Sequence, residues 1–176
     1  MLNRNFKTIM LGFLFSSQAS NEDSIKFSDI NTYTTDGSQF LCPDTYGKRT
    51  QVSNAIVNAL NNPSTTNAIA SQEINRLYMA VGTGTTEATA EDYTLENENT
   101  DIKCETITQS YTQSYKRQIT ATFNNPTAQE ITLKEAGLFE EYCVDTSNTA
   151  NWLLARENID VTIPAGESKA ITMEIG

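Results

Sequence analysis

Short runs of alternating apolar and polar residues, parted by turn residues, extend from residue 100 to the C-terminus. This rhythm constrains the fold more than any other feature of the 176-residue chain. The clearest run is Tyr115 to Phe123, where Ile119, Ala121 and Phe123 point one way and Gln118, Thr120 and Thr122 the other. Alternation at period two marks a strand with one buried face. Ile102–Ile107, Ile131–Leu133, Trp152–Arg156, Val161–Ile163 and Ile171–Ile175 read as further strands, with turns at Asn124–Thr127 and Pro164–Glu167. Gly137, just before Leu138-Phe139, predicts a bulge that resets the buried face. Short strands at near-regular spacing predict a mainly β chain built as an antiparallel β-sandwich, jelly-roll or Ig-like. The 25 Thr and 17 Asn, a strand former and a turn former, lean the same way.

The first half of the chain is less regular. Leu2, Phe6, Ile9, Met10, Phe13 and Leu14 recur at spacings of three and four, which predicts an amphipathic N-terminal helix. Its basic residues Arg4 and Lys7, an apolar run and Ser17-Gln18-Ala19 also give it the outline of a secretory signal. The short run, broken by Gly12, favours an uncleaved amphipathic helix that either docks on a partner or packs on its own domain, and no other segment approaches the length of a membrane span. Asp36-Gly37 is placed to close a hairpin onto Gln39-Phe40-Leu41. Val52, Ile56, Val57 and Leu60 share a helical face that ends at Asn61-Asn62-Pro63, a second, short helix. Ile74 to Val81 reads as a buried strand running into glycine. The chain thus divides into an anchoring helix (1–20), a polar and helical insertion (21–73) and a β-domain (74–176).

Chemistry is narrowed by what is missing. There is no histidine, so Ser-His-Asp triads, Cys-His dyads and His-based zinc or iron sites are excluded. Cys42, Cys104 and Cys143 show no CxxC spacing, which points to free, buried thiols rather than a metal site, with a single disulfide as the alternative. Neither a catalytic residue, a cofactor nor a metal is expected. The net charge of −10 argues against nucleic acid as a partner, and it is uneven. Residues 87–105 hold seven acids (Glu87, Glu91, Asp92, Glu96, Glu98, Asp101, Glu105) against Lys103, whereas the first half is neutral.

Gly82-Thr83-Gly84-Thr85-Thr86 lacks the third glycine of a dinucleotide fingerprint and the Gly-Lys-Ser/Thr of a P-loop, so it reads as a glycine loop at a strand end. Glu96, Glu98 and Asp101 offer oxygens to calcium, but the EF-hand spacing is absent, and a solvated or partner-facing loop is the better reading. Arg156 reads as half of a structural salt bridge, and Trp152 and Tyr142 as core or interface residues.

Met79-Ala80-Val81-Gly82-Thr83-Gly84-Thr85-Thr86 and Ala90–Glu98 open an ordered set of segments, and Ile119–Asn125, Ile131–Phe139, Leu153-Leu154-Ala155-Arg156 and Val161–Ser168 follow. Taken in that order, they resemble a pattern recurrent in small structural proteins of tailed bacteriophages, and Leu2-Asn3-Arg4-Asn5-Phe6 is similar to how such proteins begin. The likeness covers residues 74–176 and hardly touches 15–70.

The resemblance implies a non-enzymatic virion component, assembled in the host cytoplasm, present in many copies and bound to other virion proteins. A tail-associated fibre, baseplate or collar subunit is the leading expectation. A capsid decoration or head-fibre anchor, and a host receptor or carbohydrate-binding module, are the alternatives. Interface residues are expected at Leu2, Phe6, Ile9, Met10, Phe13 and Phe15, which would seat the helix in a neighbouring subunit, and at Gly82, Gly84, Glu91, Asp92, Glu96 and Glu98. Homo-oligomerisation is expected, without nucleic acid or membrane, and host glycan is an open possibility.

Overall fold

The computed structural model describes residues 31–37, 39–41, 76–112, 116–143 and 149–175. Within them lie eight strands: β1 (Asn31–Tyr33), β2 (Gln39–Leu41), β3 (Arg76–Gly82), β4 (Lys103–Tyr111), β5 (Arg117–Asn124), β6 (Ile131–Cys143), β7 (Thr149–Ile163) and β8 (Ser168–Ile175). β1 and β2 form a hairpin turned by Gly37, whose φ of 80° suits glycine. The other six make two antiparallel sheets of three strands, ordered β3-β6-β7 and β4-β5-β8. The fold is mainly β. No helix occurs among the described residues, and both predicted helices, at residues 1–20 and 50–60, lie outside them, as does most of the 21–73 insertion.

One buried cluster draws on both three-stranded sheets. Leu77, Met79 and Val81 of β3, Leu133 and Leu138 of β6 and Trp152 and Leu154 of β7 join Ile119 and Phe123 of β5 and Ile171 and Met173 of β8. The second sheet is the simpler, because only one of its faces is covered. In β5 and β8 buried Ile119, Ala121, Phe123, Ile171, Met173 and Ile175 alternate with more exposed neighbours, as period two demands. On the open face Thr120 and Thr172 share a hydrogen bond of 2.8 Å across paired strands.

The first sheet is covered on both faces, so its central strand β6 is buried without interruption from Glu135 to Glu141. A second cluster on its outer face, Ala80, Phe139, Leu153 and half-buried Tyr78, is capped by Leu95 from the segment between β3 and β4. Tyr78 and Phe139 stack with ring centroids 5.2 Å apart.

Two expectations are corrected here. The bulge foreseen at Gly137 is not there: Gly137 pairs in register with Ala80 and Arg156. The irregularities lie to either side, between Leu133 and Glu135 and between Leu138 and Phe139. At the latter, β7 carries the extra residue, and Leu154 and Ala155 both enter the core in succession. That same irregularity explains why the two strands expected at 152–156 and 161–163 are one. β7 runs through fifteen residues, its alternation disguised by shifts in register.

One end of the two-sheet unit is locked by Asn125, which is fully buried. Its Nδ2 donates to the carbonyls of Gln129 (2.7 Å) and Ile163 (2.9 Å), and its Oδ1 accepts from the Thr127 hydroxyl (2.7 Å). This one side chain ties the β5–β6 connection to the end of β7. Asn125→Ala, which strands a buried carbonyl and an amide of the crossover, is expected to lower unfolding free energy by about 2–3 kcal/mol in urea titration. A loss under about 0.5 kcal/mol would mean that solvent replaces those bonds.

Candidate functional site

The glycine loop and the acidic segment form one continuous connection from β3 to β4, and it folds back over the outer face of the first sheet. Leu95 supplies the apolar contact, and Glu135 of β6 with Arg156 of β7 supplies the polar one. The Leu133/Glu135 irregularity and the one at Leu154-Ala155 bring both side chains to that outer face. Glu135 is fully buried, yet both of its oxygens are saturated. Oε1 accepts from the backbone N–H of Gly84 (3.0 Å) and of Asn97 (2.7 Å). Oε2 accepts from the N–H of Glu96 (2.9 Å) and from Nε of Arg156 (3.0 Å), with Nη2 of Arg156 completing the ion pair at 3.0 Å.

Arg156, with its side chain 4% exposed, spends its remaining donors on the same connection. Nη1 donates to Asp92 Oδ2 at 2.7 Å and Nη2 to the Thr86 carbonyl at 3.1 Å, with Glu96 Oε2 at 4.0 Å. The planar guanidinium suits this role, because its fixed fork of donors reaches several acceptors at once. Asn158 of β7 adds two more ties, accepting from Ala88 N–H and donating to the Thr86 carbonyl.

The protonation states follow from these contacts. Burial alone would raise the Asp92 carboxyl, but hydrogen bonds from Thr89 and Arg156 outweigh it and hold the group below its ordinary range. Desolvation works against the charge on Arg156, and the hydrogen bond to Asp92 with the charge of Glu135 more than restores it. Glu96 is held low chiefly by hydrogen bonding to Thr86. A carboxylate with every lone pair engaged and a guanidinium that keeps its proton have little to offer a substrate. The arrangement binds the connection to the sheet.

Gly82 and Gly84 permit the close approach. A Cβ on Gly84 would stand 2.5 Å from Glu135 Oε1 and 2.6 Å from Glu96 Cβ, and one on Gly82 would collide with the Asn97 carbonyl and Glu135.

The residues expected at an interface therefore separate. Gly82, Gly84, Asp92 and Glu96 converge on Glu135 and Arg156, and Glu91 lies exposed on the outside of the connection. Glu98 pairs with Gly82 and lines a cleft of about 320 Å³ between β3 and β4, with Met79, Val81, Lys103 and Phe123. Partial burial, and then the charge of Glu135, raises its carboxyl. Leu2, Phe6, Ile9, Met10, Phe13 and Phe15 lie outside the described residues.

Arg156 is in a structural salt bridge, with Glu135 and Asp92. Trp152 is core, at 1% exposure. Cys104 is a half-buried free thiol, raised by that burial and by Glu105. Among the described residues, no three Cys, Asp or Glu side chains gather as a metal ion requires. The sequence reading overlooked Glu135 and also Glu140, a second fully buried acid of β6. No family model matches this chain, and neither does any curated protein or solved structure.

Proposed function

We propose that the chain is a non-enzymatic structural protein of a tailed-bacteriophage virion, a tail-associated subunit that oligomerises and fastens a neighbouring component. The ordered succession of segments from Met79 to Ser168 carries this reading. In the same reading the two sheets are the halves of a jelly-roll or Ig-like sandwich, and the shared core of both sheets favours it. The apolar, basic stretch at residues 2–15 serves as the anchor into a neighbouring subunit. Such a protein works by repeating one interface around a symmetry axis, and a rigidly tied connection between β3 and β4 suits that use.

The test is antibody labelling of intact particles of a phage that encodes this chain, viewed by electron microscopy. Label on the tail is the expected outcome. Label on the capsid moves the protein to the head-decoration alternative, and particles free of both label and protein overturn the virion assignment.

A further inference from the structure

Two glutamates of β6, five positions apart, are both fully buried and are treated in opposite ways. Glu135 faces outward and is saturated with donors. Glu140 sits opposite Leu77 of β3 and Trp152 of β7, both members of the core shared by the two sheets. Neither of its carboxyl oxygens has a hydrogen-bond partner. An ionised carboxylate in such a place is costly, whereas a neutral acid is tolerable. Among the described residues, none forms an ion pair or hydrogen bond with its carboxyl. Among the described residues, the core faces of β3 and β7 present Leu77, Met79, Trp152 and Leu154 here, and β8 ends with Ile175. On the other sheet Arg117 of β5 donates to the Tyr111 hydroxyl of β4, lies over its ring and forms no ion pair with Glu140. Glu141 follows on the opposite face of β6, and Cys104 of β4 lies toward the far end. Desolvation accordingly pushes Glu140 well above the usual carboxylate range.

We propose that Glu140 is a proton-operated latch: protonated, it lets the ends of β6 and β7 close on the core, and on losing its proton it forces them apart to reach water. Glu140 lies three residues from the end of β6, and Trp152 three residues from the start of β7. The opening is therefore local to the end where residues 141–143 pair with 149–151. The folded state holds this proton more tightly than the unfolded chain does. The contribution to stability is thus fully present below the ordinary value of 4.5 and is lost as pH rises through the folded-state value.

The chain carries its own reporter, since Trp152 is its single tryptophan and stands directly across from Glu140. Emission from the full-length protein is followed from about pH 5 to about pH 10, with Cys42→Ser, Cys104→Ser and Cys143→Ser together as background to remove thiol titration. The expected result is a reversible one-proton red shift with its midpoint well above 4.5. Both Glu140→Gln and Glu140→Leu should abolish it while keeping the low-pH spectrum. A red shift that persists in either variant, a parent emission that stays flat across the range, or failure of both neutral variants to fold at low pH would each overturn the proposal.

Discussion

Arg156→Met is expected to destabilise the protein by about 3–5 kcal/mol, because it leaves Glu135 buried beside no cation while Met fills the space with an apolar stem. Breaking a buried pair from one side costs more than the pair contributes, since the surviving charge is stranded. The damage should be local first. The N–H groups of Gly84, Glu96 and Asn97 point at Glu135, so their hydrogen exchange should quicken before that of β5 and β8. A loss in urea titration below about 0.5 kcal/mol would mean the guanidinium is ornamental.

The pH profile offers an independent check. Asp92 titrates below its ordinary 3.8 in the folded state, so its contribution is present above that value and fades as pH falls through the lowered one. Without Arg156 that lowering diminishes, and the acid limb of the stability curve should flatten.

Gly82→Ala is the second large effect, at about 3 kcal/mol or more. Overpacking alone costs about 1–3 kcal/mol where the neighbours cannot yield. Here the added methyl meets the Asn97 carbonyl, already accepting from Thr83 N–H at 2.9 Å, and the saturated Glu135 carboxylate. Neither can withdraw without releasing bonds that tie down the connection. Gly166 provides the contrast, because its φ of 72° disfavours a side chain but nothing lies within 4 Å of its Cβ position. Gly166→Ala should cost about 1–2 kcal/mol, the strain of the left-handed backbone alone. Equal losses from the two substitutions, measured by thermal or urea unfolding, would sink the close-approach argument.

The second sheet was the legible part of the fold, and the reason is solvent. Ile119, Ala121 and Phe123 alternate cleanly because the opposite face of β5 meets water, and β8 behaves likewise. The first sheet blurs the same signal, because Leu95 and its neighbours cover its outer face and polar alternation is no longer required there. Leu138-Phe139 and Leu153-Leu154 then read as apolar pairs without direction. The site was only half legible. The salt-bridge role of Arg156 could be inferred from a cation amid acids in a strand, but its partners lie 21 and 64 residues away, a separation that no local pattern encodes. Glu135 follows Lys134 in a run that resembles an ordinary solvated edge. The one available hint was the pair Gly82 and Gly84, small residues whose absent side chains leave room for something to be held.

The distances along the chain also set an order of events. Hairpin β6–β7 is local, but the contacts of Arg156 and Glu135 with residues 84–97 close loops of roughly forty to seventy residues. They have nothing to close upon until that hairpin exists. The tie is then made on the downhill side of the folding barrier, and the cost of losing Arg156 should fall on the unfolding rate rather than on the folding rate. What looks in the finished structure like a brace acts in time as a bolt: it does not hurry the chain into its fold, but it sets how long the chain stays there.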